Sequence, residues 1–584
     1  MDPVIIAGAG PVGLALALGL ARHGVPSIVL DETDGEGARA GAERTAVLSP
    51  PTAGLVARLG YAGVHGDGLS WTAWRTVRRR QEAVRVDFGP GPDSGPLSSG
   101  PAPAPASPLH ISQAQLEGGL RAAAAASPAK DLVRIVPRAR VDTLEQDGSG
   151  VTVHTKGTDA TWWRGSYLAG CDGPRSTVRK LLGVRFPGRT AVDRYAVAAL
   201  RVRLPAPTEA LLHLDPPGAG LGPEVTARPL PDGVWRLDWL LPAKGGPLTS
   251  DDLVARIRGT LAAWNGGEVP PYELLGSAEY PVHQRLARNW RAGRVFLAGD
   301  AAHLTGALGA QSVEEGLRDA DNLAWKLSAA WHYGASGTLL DSYQAERRGA
   351  VGARLRATDQ VLPLLRADGA LHSVRRSLLS GLSGSARRYA ELLTDSHLGR
   401  GPLGAPPVYA RSPLAVPAPR GASGGAASPL VAACATPVGA AVTDVEVTAL
   451  DGSRARLYER LGRHLLVVLI APGTGVWESR HWLTAGLMPR LAKAVAALPT
   501  RAELLVAEAY PGSTAHGVLL IRPDGHLVTV MTGCRPAELY SYADLARGGP
   551  PVPAQGTEQG PGQGPEQADA PSPEPSEPVS GRTR

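Results

Sequence analysis

Val4-Ile5-Ile6-Ala7-Gly8-Ala9-Gly10-Pro11-Val12-Gly13 is the stretch that decides the fold. Its four leading apolar residues read as a buried strand, and the glycines after them read as a tight turn. A helical stretch from about Val12 to His23 follows and Gly24 ends it. Ser27-Ile28-Val29-Leu30 then predicts a second strand, closed by Asp31. This is a βαβ unit carrying Gly8-x-Gly10-x-x-Gly13. Gly8 permits the turn, Gly10 lets the backbone approach a pyrophosphate, and Gly13 lets helix pack on strand. The phosphates would sit on the helix N-terminus, where unpaired N–H groups and the dipole favour negative charge. Asp31 would accept hydrogen bonds from the adenosine ribose. The motif points to a dinucleotide and does not separate NAD from FAD.

Outward from this unit, 584 residues are too many for one hydrophobic core and imply two to four domains. At 43% hydrophobic residues, most of the chain is expected to be globular. No apolar run approaches the ~18 residues of a membrane span. No basic region with an apolar stretch and a cleavage site follows Met1, so a soluble, cytoplasmic protein is expected. The net charge of +6 comes from scattered arginines rather than a basic stripe, which argues against nucleic acid as a partner. Cys171, Cys434 and Cys534 form no CxxC pair and no metal-ligand cluster, so neither a disulfide framework nor a metal site is expected.

Composition divides the rest. Residues 89–108 and 400–430 are rich in Pro, Gly and Ala and read as a surface loop and a linker. Residues 188–287 alternate short strand patterns with turns such as Pro231-Asp232-Gly233 and predict a mostly antiparallel sheet. Residues 313–398 read as long helices. Residues 438–547 read as a small α/β domain with strands near 442–449, 464–471, 502–508 and 516–530. From Gly548 the chain is almost devoid of large apolar residues and is expected to be disordered.

Three longer segments carry a resemblance. Tyr167-Leu168-Ala169-Gly170-Cys171-Asp172-Gly173-Pro174-Arg175-Ser176 is similar to the Asp-Gly segment of the class A flavoprotein monooxygenases, which include para-hydroxybenzoate, phenol and aromatic polyketide hydroxylases. Gly293-Arg294-Val295-Phe296-Leu297-Ala298-Gly299-Asp300-Ala301-Ala302-His303 resembles that family's second flavin fingerprint. Asp319-Ala320-Asp321-Asn322-Leu323-Ala324-Trp325-Lys326-Leu327 and Tyr343-x-x-Glu346-Arg347-Arg348 continue the match. Arg44 opens a segment similar to the one whose arginine contacts the FAD pyrophosphate. Ile111-Ser112-Gln113 resembles the helix start whose glutamine touches the cofactor. Leu519-Leu520-Ile521-Arg522-Pro523-Asp524-Gly525-His526 resembles the thioredoxin-like domain of phenol and polyketide hydroxylases, here without CxxC.

The resemblance implies an α/β fold. Its parts are a Rossmann-like FAD-binding domain (1–80, 108–187 and 288–398), an inserted mostly antiparallel β-sheet substrate domain (81–107 and 188–287), a thioredoxin-like C-terminal domain (400–547) and a disordered tail (548–584). It implies bound FAD, with NADPH or NADH as a transient cosubstrate, in a monomer or homodimer. Asp300 would hydrogen-bond the ribityl chain. Gly8, Gly10, Gly13, Asp31, Arg44, Gln113, Asp172, Gly299, Gly309 and Val313 complete the expected cofactor site. The implied reaction is hydroxylation of an aromatic or polycyclic substrate through a flavin C4a-hydroperoxide. No side-chain nucleophile or catalytic base is singled out, and His303 reads as structural. Tyr195, Trp235, Trp239 and Trp264 suit either a planar ligand or a core.

The pattern breaks after His303. Relatives carry a Pro-Pro pair and then a Gly-Gly-Gln-Gly-Met-Asn-like run against the isoalloxazine ring. Here the chain reads Leu304-Thr305-Gly306-Ala307-Leu308-Gly309-Ala310-Gln311-Ser312-Val313-Glu314-Glu315-Gly316. Ser312-x-x-Glu315 reads as a capping box, with Glu314 turned from the ring. A carboxylate facing the ring would instead oppose the reduced flavin's charge and point to epoxidation or Baeyer–Villiger insertion. An FAD oxidoreductase without oxygen insertion, or a non-catalytic flavin-binding partner, are the alternatives.

Overall fold

The computed structural model describes residues 1–35, 41–89, 106–126, 129–157, 161–218, 220–242, 245–306, 312–334, 336–365, 385–400, 407–415, 434–472, 487–513, 516–533 and 535–549. Residues 1–551 form one compact unit. Val4–Ala7 lies inside a six-stranded sheet, between Tyr167–Gly170 and Ser27–Leu30, and pairs in parallel with both. Val295–Leu297 and Val133–Val136 extend the parallel register, and Arg291–Ala292 closes one edge antiparallel. A parallel strand covered on both faces must be apolar throughout, and every residue of Val4–Ala7 and Tyr167–Gly170 is buried. The helix Pro11–Arg22 begins on a proline, which has no N–H to leave unpaired there. It packs on the helix Ser312–Tyr333. The fit is close: a Cβ on Gly19 would stand 2.8 Å from that of Ala324.

A second, eight-stranded sheet runs in the order His303–Thr305, Tyr272–Leu286, Gly188–Val202, Val234–Leu241, Glu224–Pro229, Glu209–Leu214, Ala73–Arg78 and Gln81–Asp87. It is antiparallel except where Glu209–Leu214 meets Ala73–Arg78. One face buries Leu237, Trp235 and Trp239 under the helix Ser250–Trp264. The other face is covered at its far end by the helix Ser385–Leu398, which packs on Trp74 and Leu212. The sheet reaches further along the chain than expected. Ala73–Arg78 enters it ahead of residue 81, and His303–Thr305 joins it from beyond residue 287, because backbone pairing rather than sequence continuity sets a sheet's extent. The strand periodicity of Arg140–Gln146, Val151–Lys156 and Trp162–Gly165 forms a separate three-stranded antiparallel sheet, unforeseen in the sequence.

Residues 446–531 build a six-stranded mixed sheet ordered Arg454–Arg456, Glu446–Ala449, Ala502–Ala507, Leu465–Ile470, Gly517–Ile521 and Leu527–Met531. Leu465–Ile470 is entirely buried, with separate apolar clusters on its two faces. This sheet docks on the first part of the chain through charge. Arg522 donates to both oxygens of Glu346 at 2.6 and 2.8 Å and also grips Asp524. Asp524 in turn accepts from Asn322 (2.9 Å) and from the Trp325 indole (3.1 Å), and Lys326 binds Glu346 at 2.7 Å. Most of residues 89–108, 400–430 and 548–584 and Cys534 lie outside the described residues.

Candidate active site

The glycine loop is fixed from below and open above. Gly8 adopts φ +100°, and a Cβ there would approach the Cys171 carbonyl oxygen to 2.5 Å. A Cβ on Gly13 would overlap the Gly8 carbonyl oxygen, so helix and strand meet only through a missing side chain. Gly10 is the contrast, since a Cβ there would meet nothing within 4 Å. The helix Pro11–Arg22 has no side-chain cap and no acid in its first turn, so its N-terminal N–H groups remain available. Asp31 is 8% exposed and holds the loop: it accepts from Ala9 N at 2.6 Å and from the Thr33 N–H and hydroxyl at 2.8 and 2.7 Å. Arg121, which carries no family motif, donates to the Ala9 carbonyl at 3.2 Å and lies beside Asp31.

The second fingerprint is brought against this loop. Gly299, at φ +60°, packs where a Cβ would stand 2.9 Å from Val12 Cγ2. Its N–H donates to Asp319 Oδ2 at 3.0 Å. Asp319 also takes His303 Nε2 at 2.7 Å and Arg347 Nε at 2.8 Å, all fully buried. His303 stacks on Trp290. Burial pushes the Asp300 carboxyl up, against the pull of His303 and Arg44.

Arg44 and Gln113 arrive together, because the Gln113 N–H donates to the Arg44 carbonyl where Thr45–Leu48 pairs with Leu109–Ser112. The exposed Arg44 guanidinium lies within electrostatic reach of Asp300 and Glu117. The Gln113 amide donates to Glu117 at 2.8 Å. Asp172 borders Gly8 through its backbone. Its carboxylate caps the helix Thr177–Leu181, accepting from the Thr177 and Val178 N–H groups (2.6 and 3.0 Å) and from the Ser176 hydroxyl (2.5 Å). Val313 packs on the main core at the start of Ser312–Tyr333. Gly309 lies outside the described residues.

The expected capping box does not form. The Ser312 hydroxyl meets that of Thr305 at 3.2 Å, and the Glu315 carboxylate is gathered by Arg347 (2.6 Å), Arg318 (2.7 Å) and Arg354 (2.8 Å). Three guanidinium groups outcompete one local N–H. They hold Glu315 far below the usual carboxylate range despite its burial. Glu314 is drawn to another element. It accepts from the Ser49 hydroxyl at 2.6 Å, Ser49 N at 3.4 Å and Thr52 at 3.2 Å, and it pairs with Arg318. It thereby serves the N-terminus of the helix Pro50–Arg58, whose own Ser49 gives no cap.

The eight-stranded sheet reaches the same region. Arg236 donates to Asp238 at 2.7 Å, to the Tyr280 hydroxyl at 3.2 Å and to Thr45 Oγ1 at 3.1 Å, beside Arg44. His110, pushed down to about 3 by burial, bridges Thr45 and the Pro229 carbonyl as a neutral ring. Trp239 donates to Thr260 and Trp264 to His213, so both belong to the packing around the helix Ser250–Trp264. Tyr195 lies on the opposite face, stacked on Tyr280.

These residues fit a flavin dinucleotide. An uncapped helix N-terminus meets an open Gly10, an acid stands at the end of the second strand, and a second carboxyl, Asp300, is held at the junction. Asp319 lay within a segment that the sequence singled out without a role, and Arg121 carried no motif that could have found it.

Residues 1–358 match the family described as "FAD binding domain". An anhydrotetracycline monooxygenase of Streptomyces rimosus is 30% identical over 555 residues, covering 90% of this chain and 94% of that protein. A 12-dehydrotetracycline 5-monooxygenase/anhydrotetracycline 6-monooxygenase of Streptomyces rimosus subsp. rimosus is 31% identical over 412 residues, or 66% of this chain and 71% of that one. The structure of aklavinone-11 hydroxylase in ternary complex with FAD and aklavinone superposes with a TM-score of 0.69 at 22% identity, covering 94% of this chain and 99% of that chain.

Proposed function

Since the chain belongs to the FAD binding domain family and its relatives are FAD-dependent monooxygenases, we propose that it hydroxylates a polycyclic, polyketide-like aromatic at the face shared by the eight-stranded sheet and the flavin site. Bound FAD supplies hydride acceptance from NAD(P)H and activation of O₂. The balance is one substrate C–H, O₂, NAD(P)H and a proton going to C–OH, water and NAD(P)⁺. The observation that carries the reading is the open glycine loop beside the Gly299–Asp300 turn, with the eight-stranded sheet tied to the Arg44 segment through Arg236 and Thr45.

The roles follow from the geometry. The Pro11–Arg22 N-terminus and Arg44 receive the pyrophosphate, Asp31 takes the ribose, and Asp300 takes the ribityl hydroxyls. Gly299, Gln113 and Val313 line the cofactor, and Asp172 positions the loop beside Gly8. The Tyr195, Val197, Leu240 and Val282 surface orients a flat apolar ring and excludes water. Glu314, bound by Ser49, Thr52 and Arg318, is not the carboxylate that would oppose a reduced flavin, which supports ordinary hydroxylation. The C-terminal sheet serves as a thioredoxin-like structural domain without thiol chemistry, in a cytoplasmic monomer or homodimer. No described helix is long and apolar enough to cross a membrane.

The test is NAD(P)H oxidation in air by the FAD-loaded protein, with and without phenols and polycyclic quinones, followed by ¹⁸O₂ labelling of any product. Stimulation with label in the product supports the reading. Turnover giving unlabelled product would instead establish a reductase.

A further inference from the structure

Along Tyr272–Leu286, residues Tyr280, Val282 and Gln284 alternate onto one face of the eight-stranded sheet. Tyr280 and Val282 join Tyr195, Val197 and Leu240 in a small apolar floor separate from the core on the sheet's other face, and Gln284 follows them along the strand. The two ends of this floor differ. At one end the Tyr280 hydroxyl is satisfied by Arg236 and Asp238. At the other, Gln284 is only 5% exposed, yet among the described residues neither its carbonyl oxygen nor its NH₂ has a hydrogen-bond partner. Four residues of strand separate the ends by about 13 Å, the length of a three- to four-ring fused aromatic.

The position of Gln284 ties it to the reaction centre. Its backbone pairs with Thr305, on the strand that leads from the Asp300 fingerprint toward Ser312. The chain there is shaped around the amide: Gly306 has φ +95°, and a Cβ on it would come within 2.6 Å of Gln284 Cγ and 2.9 Å of Nε2. A buried donor and acceptor left unmade cost free energy that a leucine in the same place would not. The fold gains nothing from this amide, so its use lies in what it meets during function.

We propose that Gln284 is a specificity-determining residue whose carboxamide receives an adjacent hydroxyl–carbonyl pair on the rim of a polycyclic aromatic substrate. The inference rests on the polycyclic-hydroxylase reading above. A primary amide presents a donor and an acceptor side by side, in one plane. Its complement is a ring hydroxyl next to a carbonyl, as in a peri-hydroxyquinone or an enolised β-dicarbonyl. Arg236 and Asp238 already satisfy each other and the buried Asp193 on this face is engaged, so Gln284 is the side chain whose polar atoms are left for a ligand among the described residues.

The experiment uses the full FAD-loaded chain and two probes, 1-hydroxyanthraquinone and 1-methoxyanthraquinone, followed by perturbation of the flavin absorbance. The native protein should prefer the hydroxyl compound by at least about tenfold, the factor for one well-made hydrogen bond. Gln284→Met and Gln284→Ala should bind both probes with equal affinity while FAD affinity is unchanged. A preference that survives in both variants overturns the proposal, as does loss of FAD in Gln284→Met, which would assign the amide to the cofactor. Equal binding of the two probes by the native protein also overturns it, while leaving the polycyclic reading intact. If the native protein binds neither probe and neither stimulates NAD(P)H oxidation, the polycyclic reading fails and this proposal fails with it.

Discussion

Replacing Arg522 with methionine removes the cation that joins the C-terminal sheet to the rest of the molecule. The guanidinium is 5% exposed, and the Glu346 and Asp524 carboxylates are 0% and 1% exposed. It also lies 5.0 Å from the Trp325 ring centre. Leaving a buried carboxylate unpaired costs about 3–5 kcal/mol. Here both acids keep partners: Glu346 retains Lys326 and Asn322, and Asp524 retains Asn322, His526 and the Trp325 indole. The lower limit therefore applies, about 3 kcal/mol, which is about a 150-fold rise in the undocked population. Exchange of the Trp325 indole N–H with deuterium reads this directly, because that proton is covered by Asp524 across the interface. Arg522→Met should exchange it about 150-fold faster. Arg522→Lys keeps the charge but loses the fork, and should fall between. Less than about fivefold acceleration in Arg522→Met, under 1 kcal/mol, would refute the claim that this charge cluster holds the two parts together.

Three further outcomes are expected. Gly10→Ala should leave the melting temperature of the apoprotein within the range of a surface change and weaken FAD binding at least about tenfold, whereas Gly13→Ala should lower the apoprotein's stability by about 1–3 kcal/mol through overlap with Gly8. Parallel melting and FAD titration separate the two. Asp300→Ala should be isolated without bound flavin, read from its visible spectrum, and normal occupancy would remove Asp300 from the site. Asp321, half-buried near Asp524 and pushed up to about 6 mainly by desolvation, binds a proton more readily in the folded state. Between roughly pH 4 and 6 the folded form holds that proton and the unfolded form does not, so this group's contribution to stability falls as pH rises. Asp321→Asn should flatten that decline in urea midpoints measured across the range.

The parts legible in the sequence are those where the backbone alone dictates the residue. Gly8 and Gly13 are demanded by a turn and by a close approach, so a short local pattern announces them. Strand alternation likewise gave the antiparallel sheet, although not that Ala73–Arg78 would enter it. What escaped was chosen by partners far along the chain. Glu315 three residues after Ser312 has the spacing of a cap, yet three arginines claim it. Glu314 serves the start of the helix Pro50–Arg58 by binding Ser49, 265 residues earlier. Arg522 and Glu346 are 176 residues apart, and no periodicity links them. Gln284 stood in plain view within a strand, but its lack of a partner among the described residues depends on how Gly306 and the neighbouring strands pack around it.

The shared charges of Arg522 and Asp524 also set an order of events during synthesis. The flavin-binding sheet, the helix Ser312–Tyr333 and Glu346 leave the ribosome long before residue 522 does. Until the last strands of the C-terminal sheet emerge, Glu346 and Lys326 have each other but lack their third partner, and the surface around Trp325 stays wet. The nascent chain therefore covers Trp325 only once Arg522, 176 residues after Glu346, has emerged and the C-terminal sheet can dock.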